Sequence, residues 1–253
     1  MMAELLHAGL GWPVALVAVG ISFLSSLITA AFGIGGGAVM LAVLATLLPA
    51  PAIIPVHGLV QLGSNAGRSL LFFRHIHREA LLPFLVGAVI GIALGSTFVV
   101  QLDPGMLQIT VGAFILWTVF FTTPRLMGRS AGITGAFSSF LTMFVGGTGP
   151  FVATYVKTLG LDRVRHVGTH AAMMTAQHLL KTIAFGLLGF AFAQWAGFIA
   201  LLILFGFLGT VVGRSVLLRI DEARFKRILS IILTVLALRL IYAGAADLWR
   251  DTG

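Results

Sequence analysis

The sequence predicts an all-α polytopic membrane protein made of two inverted repeats. Each repeat is a glycine-broken re-entrant helical hairpin followed by three transmembrane helices. Three observations predict it: the composition, two glycine clusters at matching places along the chain, and basic residues confined to alternate breaks. Of the 253 residues, 58% are hydrophobic and only 9% charged, at a mean hydropathy of +1.06. Soluble domains carry roughly a quarter charged residues, so most helices here have no polar face to offer water. That composition excludes a soluble enzyme, a disordered chain and a nucleic-acid binder. The net charge of +8 comes from basic residues in short breaks between apolar runs. That pattern holds membrane orientation and does not mark polyanion binding. The absence of cysteine excludes disulfides, thiolate nucleophiles and Cys-ligated zinc.

A helix needs about 20 apolar residues to cross the hydrocarbon. The first apolar segment, 13–48, is too long for one span and is interrupted by Gly33-Ile34-Gly35-Gly36-Gly37. Its opening run lacks a basic flank, Glu4 being the only charge before it, and no cleavage site follows, so it reads as membrane protein and not as a signal peptide. Clean spans follow over 53–73, 81–100 and 106–122. A second long segment, 131–159, is interrupted by Gly146-Gly147-Thr148-Gly149-Pro150, and further spans follow over 168–188, 196–212 and 225–243. Pro13, Pro51, Pro55, Pro83 and Pro104 sit at or near segment starts, where a missing N–H costs least.

The two interruptions occupy equivalent places. Placing Phe32 against Phe144 aligns the glycine clusters, and sliding one residue more superimposes His57 on His170 and Arg68 on Lys181. Gly91-x-x-x-Gly95 then meets Gly209-x-x-x-Gly213, and Asp103 meets Asp221, after a short insertion. Such recurrence marks a duplicated unit, with repeats over 1–124 and 125–253.

Arg74, His75, His77, Arg78, Arg125, Arg129, Lys157, Arg163, Arg165, Arg214, Arg219, Arg224, Lys226 and Arg227 crowd the breaks of one side, whereas 48–52, 101–104 and 189–195 hold no Lys or Arg. All basic breaks share a side if each interrupted segment enters and leaves by the same face. The positive-inside rule makes that side cytoplasmic and places Trp12, Trp195 and Trp249 near the outer interface.

Glycine clusters make poor helix, and non-helical backbone survives at membrane depth only inside protein or beside a wet cavity. Where a helix restarts, its first N–H groups carry partial positive charge and suit an anion. The expected substrate-binding residues are therefore Gly33, Gly35, Gly36, Gly37, Gly146, Gly147, Thr148 and Gly149. Two polar stripes join them. His57, Gln61, Asn65 and Arg68 recur at helical spacing on one face, and His170, Gln177, His178 and Lys181 do so on the partner span, with Met174 in place of Gln61. Because a basic side chain at mid-depth costs about 2.5–3.5 kcal/mol or more against lipid, the stripes should face each other or a cavity. Arg68 and Lys181 have snorkelling as the alternative. His75 and His77 read as solvated loop residues, and no metal set, cofactor motif or catalytic constellation is present. Ser25, Ser26, Ser138 and Ser139 read as satisfying their own helix backbone. Gly87, Gly91 and Gly95, with Gly209 and Gly213, are packing seams within the chain or across a homodimer.

Ala31-Phe32-Gly33-Ile34-Gly35-Gly36-Gly37 after an apolar helix, echoed by Phe144-Val145-Gly146-Gly147-Thr148-Gly149-Pro150, resembles the sulfite exporter TauE/SafE family of membrane permeases. The first cluster lacks a following proline, and Thr148 intrudes in the second. The resemblance implies a non-enzymatic secondary transporter of small sulfur-containing anions, sulfite or sulfonates, in the bacterial inner membrane, without ATP-binding domains or cofactor. An anion channel, or a membrane subunit without transport of its own, is the alternative.

Overall fold

The computed structural model describes residues 2–32, 35–99, 103–216 and 222–251. Among the described residues the chain forms eleven α-helices and no strand. A short α1 (Met2–His7) precedes α2 (Trp12–Phe32), α3 (Gly36–Leu47), α4 (Ala50–Leu71), α5 (Leu81–Val99) and α6 (Pro104–Phe120). Then come α7 (Ala131–Val145), α8 (Gly149–Thr158), α9 (Arg163–Leu187), α10 (Ala196–Val216) and α11 (Glu222–Asp251).

Every expected span has its helix, with shifted ends that local chemistry explains. Asp103 caps α6 by accepting from the N–H groups of Gly105 and Met106, with Pro104 as the first helical residue. Asp162 caps α9 through the N–H groups of Val164 and Arg165, so this helix starts before 168. Asp221, aligned above with Asp103, lies outside the described residues.

Four helical stretches are long and apolar enough to cross a membrane: Trp12–Phe32, Arg78–Val99, Phe192–Ser215 and Arg227–Arg250. The helices α4 and α9 fall below that apolarity because they carry the polar stripes. The molecule is inside-out by soluble standards. Leu82, Val86, Ile90 and Leu94 of α5, and Ile231, Val235 and Leu238 of α11, are exposed. Ser22, Thr29, Gln61, Asn65, Thr142 and Gln177 are buried. Lipid tolerates the first set, and only protein partners tolerate the second.

Four helix pairs dominate the packing: α5 on α7, α10 on α2, α11 on α6, and α4 on α9. The glycine seams work within the chain. A Cβ on Gly87 would overlap the carbonyl of Gly132, and one on Gly91 that of Ala136, so α5 and α7 touch backbone to backbone. Gly209 and Gly213 meet α2 in the same way, at the carbonyls of Phe23 and Leu27.

Contacts at the helix ends define two rims. At one, Leu10, Pro49 and Trp195 line a common crevice, and Ala50, Val99, Pro104 and Gly189 line a second one of about 350 Å³. At the other, Gly168 lies against Phe72 and His75, and Arg214 stacks over the Phe72 ring at 5.5 Å. There too the Arg163 guanidinium donates to the Ala31 carbonyl at 2.7 Å, and the Thr158 hydroxyl to that of Gly128 at 3.3 Å. The segment α2–α3 thus begins and ends at the first rim, and α7–α8 at the second. Trp195 belongs to the first rim and is buried: its ring tilts onto Phe198 of α10, so the indole fills a helix junction.

Candidate functional site

The helices α4 and α9 run antiparallel through the middle, Pro55 of the first lying beside Phe185 of the second at one rim. Their polar stripes turn inward, as the spacing predicts. His57, Gln61, Asn65 and Arg68 are at most 8% exposed, and His170, Gln177, His178 and Lys181 at most 4%. Neither basic side chain snorkels. Arg68 stays on its own helix, donating to Asn65 Oδ1 and Ser64 Oγ at 3.0 Å each. Lys181 instead crosses to the second break, donating to the Gly146 carbonyl at 3.2 Å and Thr142 Oγ1 at 3.4 Å.

The breaks are backbone features. Gly35 holds φ at +104° immediately before α3, and Gly146 holds +74° at the end of α7, a region that only glycine enters readily. Gly36 packs so tightly that a Cβ would overlap the Ser25 carbonyl of α2. Gly33 lies outside the described residues. Each break is pinned by a histidine. His57 Nε2 bonds the Gly37 carbonyl at 3.1 Å, and His170 Nε2 bonds that of Gly149 at 3.2 Å. A carbonyl only accepts, so Nε2 carries the hydrogen in both rings. Gln177 braces the second break, donating to Thr148 Oγ1 at 2.7 Å and accepting from Ser138 at 2.9 Å.

Between the breaks lies a cavity of about 50 Å³. Its lining holds Gly35, Gly37, His57, Gln61, Asn65, Gly147, Gly149, His170 and His178 from the expected set. Gly36, Gly146, Thr148, Gln177, Arg68 and Lys181 stand behind this lining as supports. Thr29, Ala38, Pro150 and Met174 also line it; Met174 holds the stripe position equivalent to Gln61 and Pro150 stands at a helix restart, whereas Thr29 and Ala38 were unanticipated. The first turns of α3 and α8 both open on this space, and the lining contains no carboxylate. Helix N-termini, amides and imidazoles surround it, with two buried basic side chains behind, an arrangement of positive potential.

Three serine expectations need correction, Ser139 among them, its buried hydroxyl having no hydrogen-bond partner. Ser25 does bond its own helix, at the Ser22 carbonyl, but Ser26 bonds Ser64 of α4 and Ser138 bonds Gln177 of α9. Ser64 of α4 and Gln177 of α9 come within hydrogen-bond reach and replace the helix backbone as partners. His77 Nε2 lies 3.7 Å from Glu79, whose carboxylate is exposed.

A family model described as "Sulfite exporter TauE/SafE" matches residues 18–240. No curated protein and no solved structure matches the chain.

Proposed function

Because the chain belongs to the sulfite exporter TauE/SafE family, a family of membrane transporters of sulfur anions, we propose that it exports small sulfur-containing anions such as sulfite by alternating access. The anion sits near the bilayer midplane between the N-termini of α3 and α8. One observation carries the reading: both restarting helices open on a single buried cavity that has positive ends and no carboxylate. The symmetry of the helix contacts supports this movement. Exchanging α2–α6 for α7–α11 turns the α5–α7 contact into the α10–α2 contact, and leaves α4–α9 and α6–α11 unchanged. That exchange supports two inverted repeats, 1–124 and 125–253, rocking against each other. The shared rims of α2 with α3 and of α7 with α8 support re-entrant hairpins, although α2 alone has the length of a span.

The rim bearing Arg74, Arg78, Arg163 and Arg214 faces the cytoplasm under the positive-inside rule, which suits a bacterial inner membrane. Efflux of an anion from a cell negative inside gains about 2.3 kcal/mol per charge per 100 mV, so no ATP-driven domain is needed. Flux of sulfite, sulfate, sulfoacetate and carboxylate analogues in proteoliposomes tests the proposal. Saturable, exchange-stimulated sulfite movement is expected. Non-saturable conductance would mean a channel, and no flux of any sulfur anion would reject transport.

A further inference from the structure

Two imidazoles and an ammonium stand together at the centre of the molecule, and the anion site does not use all their atoms. The ring of His57 meets that of His178 edge to face, centroids 6.0 Å apart at 83°. Nδ1 of each is buried without a hydrogen-bond partner, and each residue is 1% exposed. His57 Nε2 is committed to the Gly37 carbonyl, which leaves Nδ1 as its free base. One turn beyond His178, the stem of Lys181 passes over Gly58, next in sequence to His57, and its ammonium reaches the Gly146 carbonyl of the other break. The cluster therefore bridges the two broken segments.

The ionisable groups around the pair are all basic. Lys181 and His170 face it from α9, and Arg68 lies further along α4. The helices α2, α3 and α7 carry no ionisable side chain. Lys157 lies in the last turn of α8, at the far end from the cavity, and Arg214 of α10 is engaged over Phe72. No described carboxylate balances this charge.

Resting on the anion-transport reading above, we propose that His57 and His178 form the proton site of the transporter, taking up one proton between them when the anion enters. In the empty site the Lys181 ammonium opposes a second positive charge nearby. A negative ion between α3 and α8 offsets that repulsion, so anion and proton strengthen each other's binding reciprocally. The proton adds to a ring nitrogen lone pair and leaves from it with the anion on the opposite side. A dianion then crosses with one net negative charge.

The test uses the full-length protein in proteoliposomes, with sulfite as probe and protein-free vesicles subtracted. An imposed proton gradient should drive sulfite accumulation in the wild type, beyond the exchange measured without a gradient. In His57→Gln and His178→Gln, flux falls and what remains ignores the gradient. A second measurement follows proton uptake when sulfite is added to the purified protein at a pH where sulfite is the dianion. Sulfite affinity should weaken about tenfold per rise of one pH unit if one proton is coupled. Variants whose weaker sulfite binding no longer takes up a proton or varies with pH support the reciprocal coupling. Wild-type exchange that neither responds to the gradient nor takes up protons overturns the proton site, as does a gradient response that survives in both variants, while leaving anion transport intact. Absence of sulfur-anion flux in the wild type would instead reject the transport reading itself.

Discussion

The stem of Lys181 lies across Gly58: a Cβ built on the glycine would come within 2.7 Å of Lys181 Cε. The bare glycine in α4 is what lets a side chain from α9 pass to the second break. In Gly58→Ala, the added methyl displaces Lys181 from the Gly146 carbonyl. Alanine's helix preference of about 1 kcal/mol over glycine offsets the crowding, so the melting temperature should barely move while sulfite flux falls. Equal loss of both would show that Gly58 matters only for packing.

Replacing the buried charge itself gives the complementary result. Lys181→Met keeps the volume and removes the ammonium from a site without a carboxylate. Replacing even a paired set of buried charges by apolar side chains is often neutral or stabilising by about 1–4 kcal/mol, and Lys181 has no carboxylate partner to lose. Thermal stability should hold or rise, and sulfite flux should fall by at least about tenfold, the effect of about 1.4 kcal/mol on the transport barrier. Unfolding of the variant would instead make Lys181 a brace for Gly146 alone.

Neighbouring glycines at the first break should part company. A Cβ on Gly36 overlaps the Ser25 carbonyl, whereas one on Gly37 sits 3.7 Å from the Gln61 amide, an ordinary contact. Gly36→Ala should therefore lower the yield of folded protein, with the 1–3 kcal/mol or so typical of overpacking as a minimum. Gly37→Ala should fold and bind sulfite more weakly by narrowing the cavity. Size-exclusion profiles and sulfite-induced thermal shifts read the two effects separately.

The cavity also limits the substrate. At about 10–15 Å³ per water-sized occupant, its volume of about 50 Å³ suits an oxyanion of sulfite's size. Sulfoacetate should compete poorly. Met174→Ala should enlarge the site at a cost of about 2–5 kcal/mol in stability and raise the ratio of sulfoacetate to sulfite flux. An unchanged ratio would place the size limit elsewhere.

The central features were legible because they depend on spacing. Helical periodicity alone put His57, Gln61, Asn65 and Arg68 on one face, and paired glycine clusters located the breaks. Side-chain partners were not legible in the same way. Arg68 and Lys181 hold aligned positions, yet one bonds its own helix and the other the second break, because Gly58 leaves room for the Lys181 stem. Thr29 and Ala38 line the cavity, but such residues occur all over membrane helices, and only packing decides where they point. The seams at Gly87 and Gly209 were legible as seams, while their partners α7 and α2 emerged from tertiary structure.

The pairing of α5 with α7 and of α10 with α2 also bears on how the chain is made. The small-residue ridge of α5 leaves the ribosome before the surface that will cover it, and α2 waits longer still for α10. Early helices must therefore be held by the insertion machinery, or by lipid packed loosely against bare backbone, until the later ones arrive. Synthesis stopped after α6 would yield a fragment with open grooves, recognised by quality-control proteases. Separately expressed fragments joined only inside the bilayer would have to interleave to regain the same contacts.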